Sequence, residues 1–150
     1  MYFPDLSPYA YFPDRSPGPD VLLNVGWLSA KHDYPRRPPD REFLASLKRL
    51  AQSPVRLTKG SHTCEFCPPP SEIGWPRGRR MIEPLPATGN GEIRVFGPEG
   101  RVFAAPALIV HYVEMHEYAP PDIFVEAVLR ATMNRPRWSL LLRRLTGRCN

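Results

Sequence analysis

Apolar and polar positions along the chain follow three different rhythms, and each predicts a different kind of element. From Val21 to Leu28 the run VLLNVGWL is almost continuously apolar, which suits a buried strand. Asp40 then precedes a stretch in which Phe43, Leu44, Leu47, Leu50 and Ala51 recur at helical spacing, while Arg41, Lys48 and Arg49 lie mostly off that face. This predicts an amphipathic helix capped by Asp40 and ended near Pro54. Val55 to Thr58 reads as a short strand leading into a cysteine segment. Alternation returns in EIRVF at 92 to 96 and RVFA at 101 to 104, and Gly97-Pro98-Glu99-Gly100 between them has turn chemistry, so the pair predicts a hairpin. Pro106 suits a first helical position, with Leu108, Ile109, Tyr112 and Val113 as a core-facing stripe to about Met115. Pro120 and Pro121 end that helix and start another, whose apolar face is Ile123, Phe124, Ala127, Val128 and Ala131. After Arg135-Pro136 a last segment sets Trp138, Leu141, Leu142 and Leu145 at helical spacing, with Gly147 as its stop.

These elements predict a small single α+β domain with short antiparallel strands or a hairpin, three to four helices and little parallel-sheet signal. At 150 residues the chain is long enough to bury a real core. Twenty prolines, well above the usual share of about 5%, require much irregular backbone. Prolines at 4, 8, 13, 17 and 19 exclude helix and central strand from the opening, where YFPDLSP and YFPDRSP form a near-repeat. Residues 1–20 therefore read as an aromatic arm that wraps its own domain, with a partner-binding peptide as the alternative. A domain spans 21–128, and 129–150 form an Arg-rich C-terminal helical extension. Within the domain, the proline-rich passage from Pro68 to Asn90 is long for a compact fold and suggests a functional or mobile loop.

Charge refines this division. Six arginines and no acid follow Glu126, leaving 14 basic against 15 acidic residues before it, so the net charge of +5 belongs to the tail. Arg77, Arg79 and Arg80 in the long loop, with Arg137, Arg143 and Arg144 in the tail, are the candidate contacts to nucleic acid or another anionic surface. The competing reading leaves the tail arginines solvated while its apolar residues dock on the core. No run approaches the roughly 18 apolar residues of a membrane helix, and the start lacks a signal-peptide pattern, which points to a cytoplasmic protein.

Three cysteines, two of them three positions apart, make a poor disulfide framework and better metal ligands; Cys149 has no neighbouring ligand. A C-x2-C pair lets both thiolates of Cys64 and Cys67 reach one ion from a tight turn, and zinc favours four ligands drawn from sulfur and imidazole nitrogen. His62, two residues before Cys64, faces the same side if the stretch is extended. The fourth ligand then comes from His111 or His116. Five residues are about 500° of regular helix, or about 140° net, so a straight helix turns only one of them to the ion. His111 is the favoured ligand, and His116 a supporting residue or alternative ligand. A thioredoxin-like reading of CEFC fails because Cys67 runs into Pro68-Pro69-Pro70, which cannot continue a helix. A nucleobase-deaminase reading fails for want of H-x-E and of a proline before Cys64.

GWL at 26 to 28, HTCEFC at 62 to 67, GNGEIRVFG at 89 to 97 and AAPALIVHYVEMHEYAPPDIFVEAV at 104 to 128 together resemble an uncharacterised family of small bacterial proteins. The resemblance runs to about Val128 and implies a self-contained bacterial domain in which His62, Cys64, Cys67, His111 and His116 all belong to the shared pattern. It brings no established activity. The expected role is a zinc-stabilised interaction or regulatory module, of the immunity type, with a protein partner and a closed structural site. The alternatives are a small zinc-dependent hydrolase with an open His/Cys/Cys site, and nucleic-acid or anionic-surface binding through the arginine-rich tail.

Overall fold

The computed structural model describes residues 1–12, 21–67 and 87–133. The apolar run at 21 to 28 begins as β1 (Val21–Asn24) and breaks at Gly26, whose φ of +71° and close approach to the Ile109 side chain both demand glycine. Asp40 caps α1 (Arg41–Leu50) by accepting the Phe43 amide at 2.8 Å, as the sequence predicts. Two short strands follow, β2 (His62–Thr63) and β3 (Thr88–Gly89), paired antiparallel. The hairpin forms as β4 (Glu92–Phe96) and β5 (Arg101–Pro106), in register from Glu92 against Pro106 to Phe96 against Val102. Helices α2 (Ile109–His116) and α3 (Asp122–Met133) complete a small α+β domain. Among the described residues Val55 makes only an isolated bridge to Glu92 instead of a strand. The predicted fourth helical segment lies outside the described residues.

The main sheet has the order β1-β5-β4, and β1 lies parallel to β5, where the sequence shows little parallel signal. Parallel pairing needs a long crossover, and the chain between β1 and β5, with α1 inside it, supplies one. As the central strand, β5 is buried along nearly its whole length. On one face Phe103 of β5 meets Phe124 of α3 edge-on at 5.8 Å, and Phe124 meets Phe43 of α1 at 6.4 Å. Both Phe103 and Phe124 are wholly buried, so this chain of rings is the centre of the core.

The described part of the arm, residues 1–12, lies along the outer edge of β1. Backbone bonds run from the Phe3 amide to the Trp27 carbonyl, Leu6 to Asn24, Tyr9 to Leu22, and back from the Asn24 amide to Ser7. Asp5 then accepts the Gly26 amide and the Tyr118 hydroxyl on its two oxygens, at 2.8 and 2.7 Å. Prolines at 4 and 8 are tolerated because this is an edge, where a missing donor costs no ladder bond.

Candidate metal centre

The C-x2-C turn is built by its neighbours. β2 delivers the chain to Cys64, whose amide bonds to the Ala87 carbonyl at 2.8 Å. Both residues between the cysteines fasten the turn. Glu65 accepts the Ser29 hydroxyl at 2.8 Å and the Ala30 amide at 3.0 Å, and these bonds hold its carboxyl below the usual range. Phe66 packs edge-on between Tyr34 and Tyr112, with the His116 ring 5.4 Å away. Gly89 of β3 lies so close to the start of α2 that a Cβ there would meet the Leu108 backbone nitrogen at 2.8 Å.

Four side chains converge on this turn: Cys64, Cys67, His111 and His116, whose ligand atoms all lie within 4.8 Å of one another. Cys64 Sγ is 3.2 Å and Cys67 Sγ 3.6 Å from His116 Nε2, Cys67 Sγ is 3.2 Å from His111 Nε2, and the two Nε2 atoms are 3.1 Å apart. A tetrahedral ion with bonds of about 2.3 Å to sulfur and about 2.0–2.1 Å to nitrogen would set sulfur–nitrogen edges near 3.6 Å and nitrogen–nitrogen edges near 3.3 Å. The Cys67–His116 edge matches, and the other three fall a few tenths of an ångström short, a gap small side-chain movements close. Hydrogen bonding explains the cluster less well. His116 Nε2 has three polar neighbours but only one in-plane lone pair or proton to offer, whereas a central cation engages all four atoms at once. The group can hold a metal ion.

Its electrostatics fit the same picture. Burial pushes His111 and His116 below the ordinary imidazole range, with Glu114 partly opposing this at His111, and with His111 and Arg36 adding to it at His116. Both shifts favour the neutral ring, the form that can offer a lone pair to a metal. Burial raises the Cys64 thiol, backbone amides of Phe66 and Cys67 lower it, and the neighbouring sulfur adds to the rise. A buried pair of thiols resists becoming thiolates until a cation offsets the charge.

His62 stands elsewhere. It is exposed, with Nε2 3.2 Å from the Tyr11 hydroxyl and its ring edge-on to Tyr11. The expectation that it shares a face with Cys64 assumes a strand through both, but β2 ends at Thr63, the backbone bends from Glu65, and His62 is exposed where Cys64 is buried. His116 takes the fourth corner instead. The Glu117 and Tyr118 amides both bond to the Tyr112 carbonyl, and Glu117 sits at φ 54°. A closing bond that reaches back five residues or more encloses a wider turn than a regular helix. Each residue there sweeps fewer degrees, which carries His116 back towards His111. The signal that could have found this is Glu-Tyr-x-Pro-Pro directly after His116, where the two prolines keep the helix from continuing and the chain ends it in an irregular turn. Arg77, Arg79, Arg80, Arg137, Arg143, Arg144 and Cys149 lie outside the described residues.

The environment also leaves a mark on three tyrosines. Burial raises the hydroxyls of Tyr9, Tyr112 and Tyr118 above the ordinary value, helped by Glu92 at Tyr9, by Cys64, Glu65 and Cys67 at Tyr112, and by Asp5 at Tyr118. An unfolded tyrosine ionises near about pH 10. The stabilisation these groups give is therefore complete below that pH and is lost as the pH rises through their folded values. Absorbance titration of phenolate should show these three of the six tyrosines staying protonated past pH 10, then ionising together with loss of the near-ultraviolet circular dichroism. Six independent ionisations near pH 10 in the folded protein would contradict this.

No curated protein and no solved structure matches the chain. A family model described as a domain of unknown function, DUF7919, matches residues 1–129, which takes in the arm, the sheet, all four converging side chains and most of α3. With that match over most of its length, the chain belongs to the DUF7919 family.

Proposed function

We propose that Cys64, Cys67, His111 and His116 bind one zinc ion in a closed tetrahedral site, and that this site fastens the cysteine turn to α2 in a bacterial, cytoplasmic interaction or regulatory module of the immunity type, with a protein partner. The observation that carries the reading is the convergence of two sulfurs and two imidazole nitrogens within 4.8 Å. Two sulfurs and two nitrogens fill a tetrahedral shell and suit zinc, leaving no position for an activated water. Two of the three glutamates adjoining the ligands in sequence are also engaged, Glu65 with Ser29 and Ala30 and Glu114 with Lys48 at 2.6 Å, while Glu117 beside His116 is exposed. The filled shell weighs against a hydrolytic centre, which needs an open position as well as a free base.

The test is metal analysis of the purified protein with X-ray absorption at the zinc edge. One zinc per chain with two sulfur and two nitrogen neighbours supports the reading; an oxygen ligand in the shell, or no bound metal, counts against it. Variants locate the fourth ligand. His116→Ala should weaken zinc binding by on the order of 100-fold or more, since loss of a direct ligand exceeds the 10- to 100-fold typical of supporting residues. His62→Ala should leave stoichiometry and affinity unchanged in a competition titration against a chromophoric chelator. The reverse result would return His62 to the site.

A further inference from the structure

We propose that the groove between the end of α1, the β4–β5 turn and α3 is the docking site for residues 137–146 of the same chain. The groove has a volume of about 530 Å³, and Arg94 and Arg130 flank its apolar lining. Leu50, Val95, Ala127 and Ala131 line it. Ala127 and Ala131 are one helical turn apart: Ala127 forms the buried floor of the groove and Ala131, partly exposed, its side on α3. Phe96 stands at its rim with 74% of its surface exposed, an uncommon state for a phenylalanine and one that covering the groove would relieve.

The occupant follows from where the chain goes next. Arg130 and Ala131 line the groove and α3 ends at Met133, so the remaining seventeen residues depart from beside it. Those residues contain Trp138, Leu141, Leu142 and Leu145 at helical spacing, an apolar stripe with no other assigned surface. Pro136 interrupts the direction of α3 before the stripe begins. Tethering also favours this occupant over a separate molecule, because a short linker gives it a millimolar-scale effective concentration. The family match stops at residue 129, so docking on this groove would be a property of the extension that the other inferred features of the domain do not require. The proposal is independent of the zinc reading.

The test uses the full chain with methyl-labelled alanine and leucine. Leu141→Asp with Leu145→Asp should shift the Ala127 and Ala131 methyl resonances and move Trp138 emission to the red, while Ala104 and Ala105, buried in β5, keep their positions. Phe96→Asp, at an exposed rim position that spares the core, should produce the same pattern. The proposal fails if the paired aspartates leave Ala127 and Ala131 unmoved. It fails equally if sedimentation shows a dimer that Phe96→Asp dissociates, since the groove would then hold a second copy.

Discussion

Replacing Cys64 with serine, or stripping the proposed zinc with a strong chelator, is expected to lower the melting temperature by about 10–20 °C and to leave the cysteine turn unstructured. Structural zinc sites in small peptides bind with apparent energies of about 10–16 kcal/mol, against a net domain stability of about 5–15 kcal/mol. The core around Phe103 and Phe124 does not depend on the ion, so only part of that energy need be lost for a large effect. A loss of about 5 kcal/mol corresponds to roughly 10–20 °C in a chain of this size. Cys64 is the ligand to change because it is buried, and serine there keeps the volume while removing the sulfur. Thermal melting followed by circular dichroism, with and without added zinc, is the measurement. A Cys64→Ser protein that melts within a few degrees of the unaltered chain, and ignores chelator, would remove the structural role of the site.

The second large effect is expected at Glu92, which is 1% exposed inside the sheet. Its carboxylate accepts the Tyr9 hydroxyl at 2.7 Å and Arg94 Nε at 3.0 Å, with Arg56 Nε at 3.5 Å, while its backbone exchanges two bonds with Val55. Arg56 sits at φ 52°, a left-handed conformation that costs a non-glycine residue about 1–2 kcal/mol and is offset here by the pair it permits. Glu92→Ala removes the acceptor for three donors and leaves two guanidinium groups around a site built for a negative charge. Breaking a buried pair from one side costs about 3–5 kcal/mol. A drop of roughly 10 °C in melting temperature is expected. Glu92→Gln, which keeps the shape and one acceptor, should fall between. If Glu92→Ala melted within 2 °C of the parent, the network would be a surface feature without energetic weight.

Glu92 also shows where sequence reading loses its grip. Alternation in EIRVF places Ile93 and Val95 towards the core, and they are buried; it places Glu92 on the polar face, where a solvated carboxylate is expected. The structure covers that face at its first residue only, with Val55 and the arm's Tyr9, and leaves Phe96 exposed at the other end. Both covering residues come from irregular segments, and no local periodicity encodes such packing.

The same division runs through the rest of the chain. Helices α1, α2 and α3 were legible because each has a cap, a proline boundary or a stripe within its own residues. The parallel partnership of β1 and β5 was not, because nothing local selects between distant partners. At the candidate site Cys64, Cys67 and His111 were legible from spacing and residue type. That His116, and not His62, joins the converging group goes with a small departure from regularity, a helix that closes in a wide turn. Period-based arguments carry no information at such places.

Each sulfur of the proposed site lies 44 to 52 residues from the imidazoles along the chain, with the sulfurs first and the imidazoles much later. On a ribosome the cysteine turn therefore emerges well before either histidine exists. An ion captured at that stage is held by two sulfurs alone and can still exchange. It becomes committed only once the hairpin and α2 have been made. Closing the shell then ties together two stretches separated by about fifty residues, which removes from the unfolded chain the freedom of a long loop much as a cross-link would. Zinc supply would in that case act on a nascent chain late in synthesis, and a shortage would be felt as a failure to finish folding.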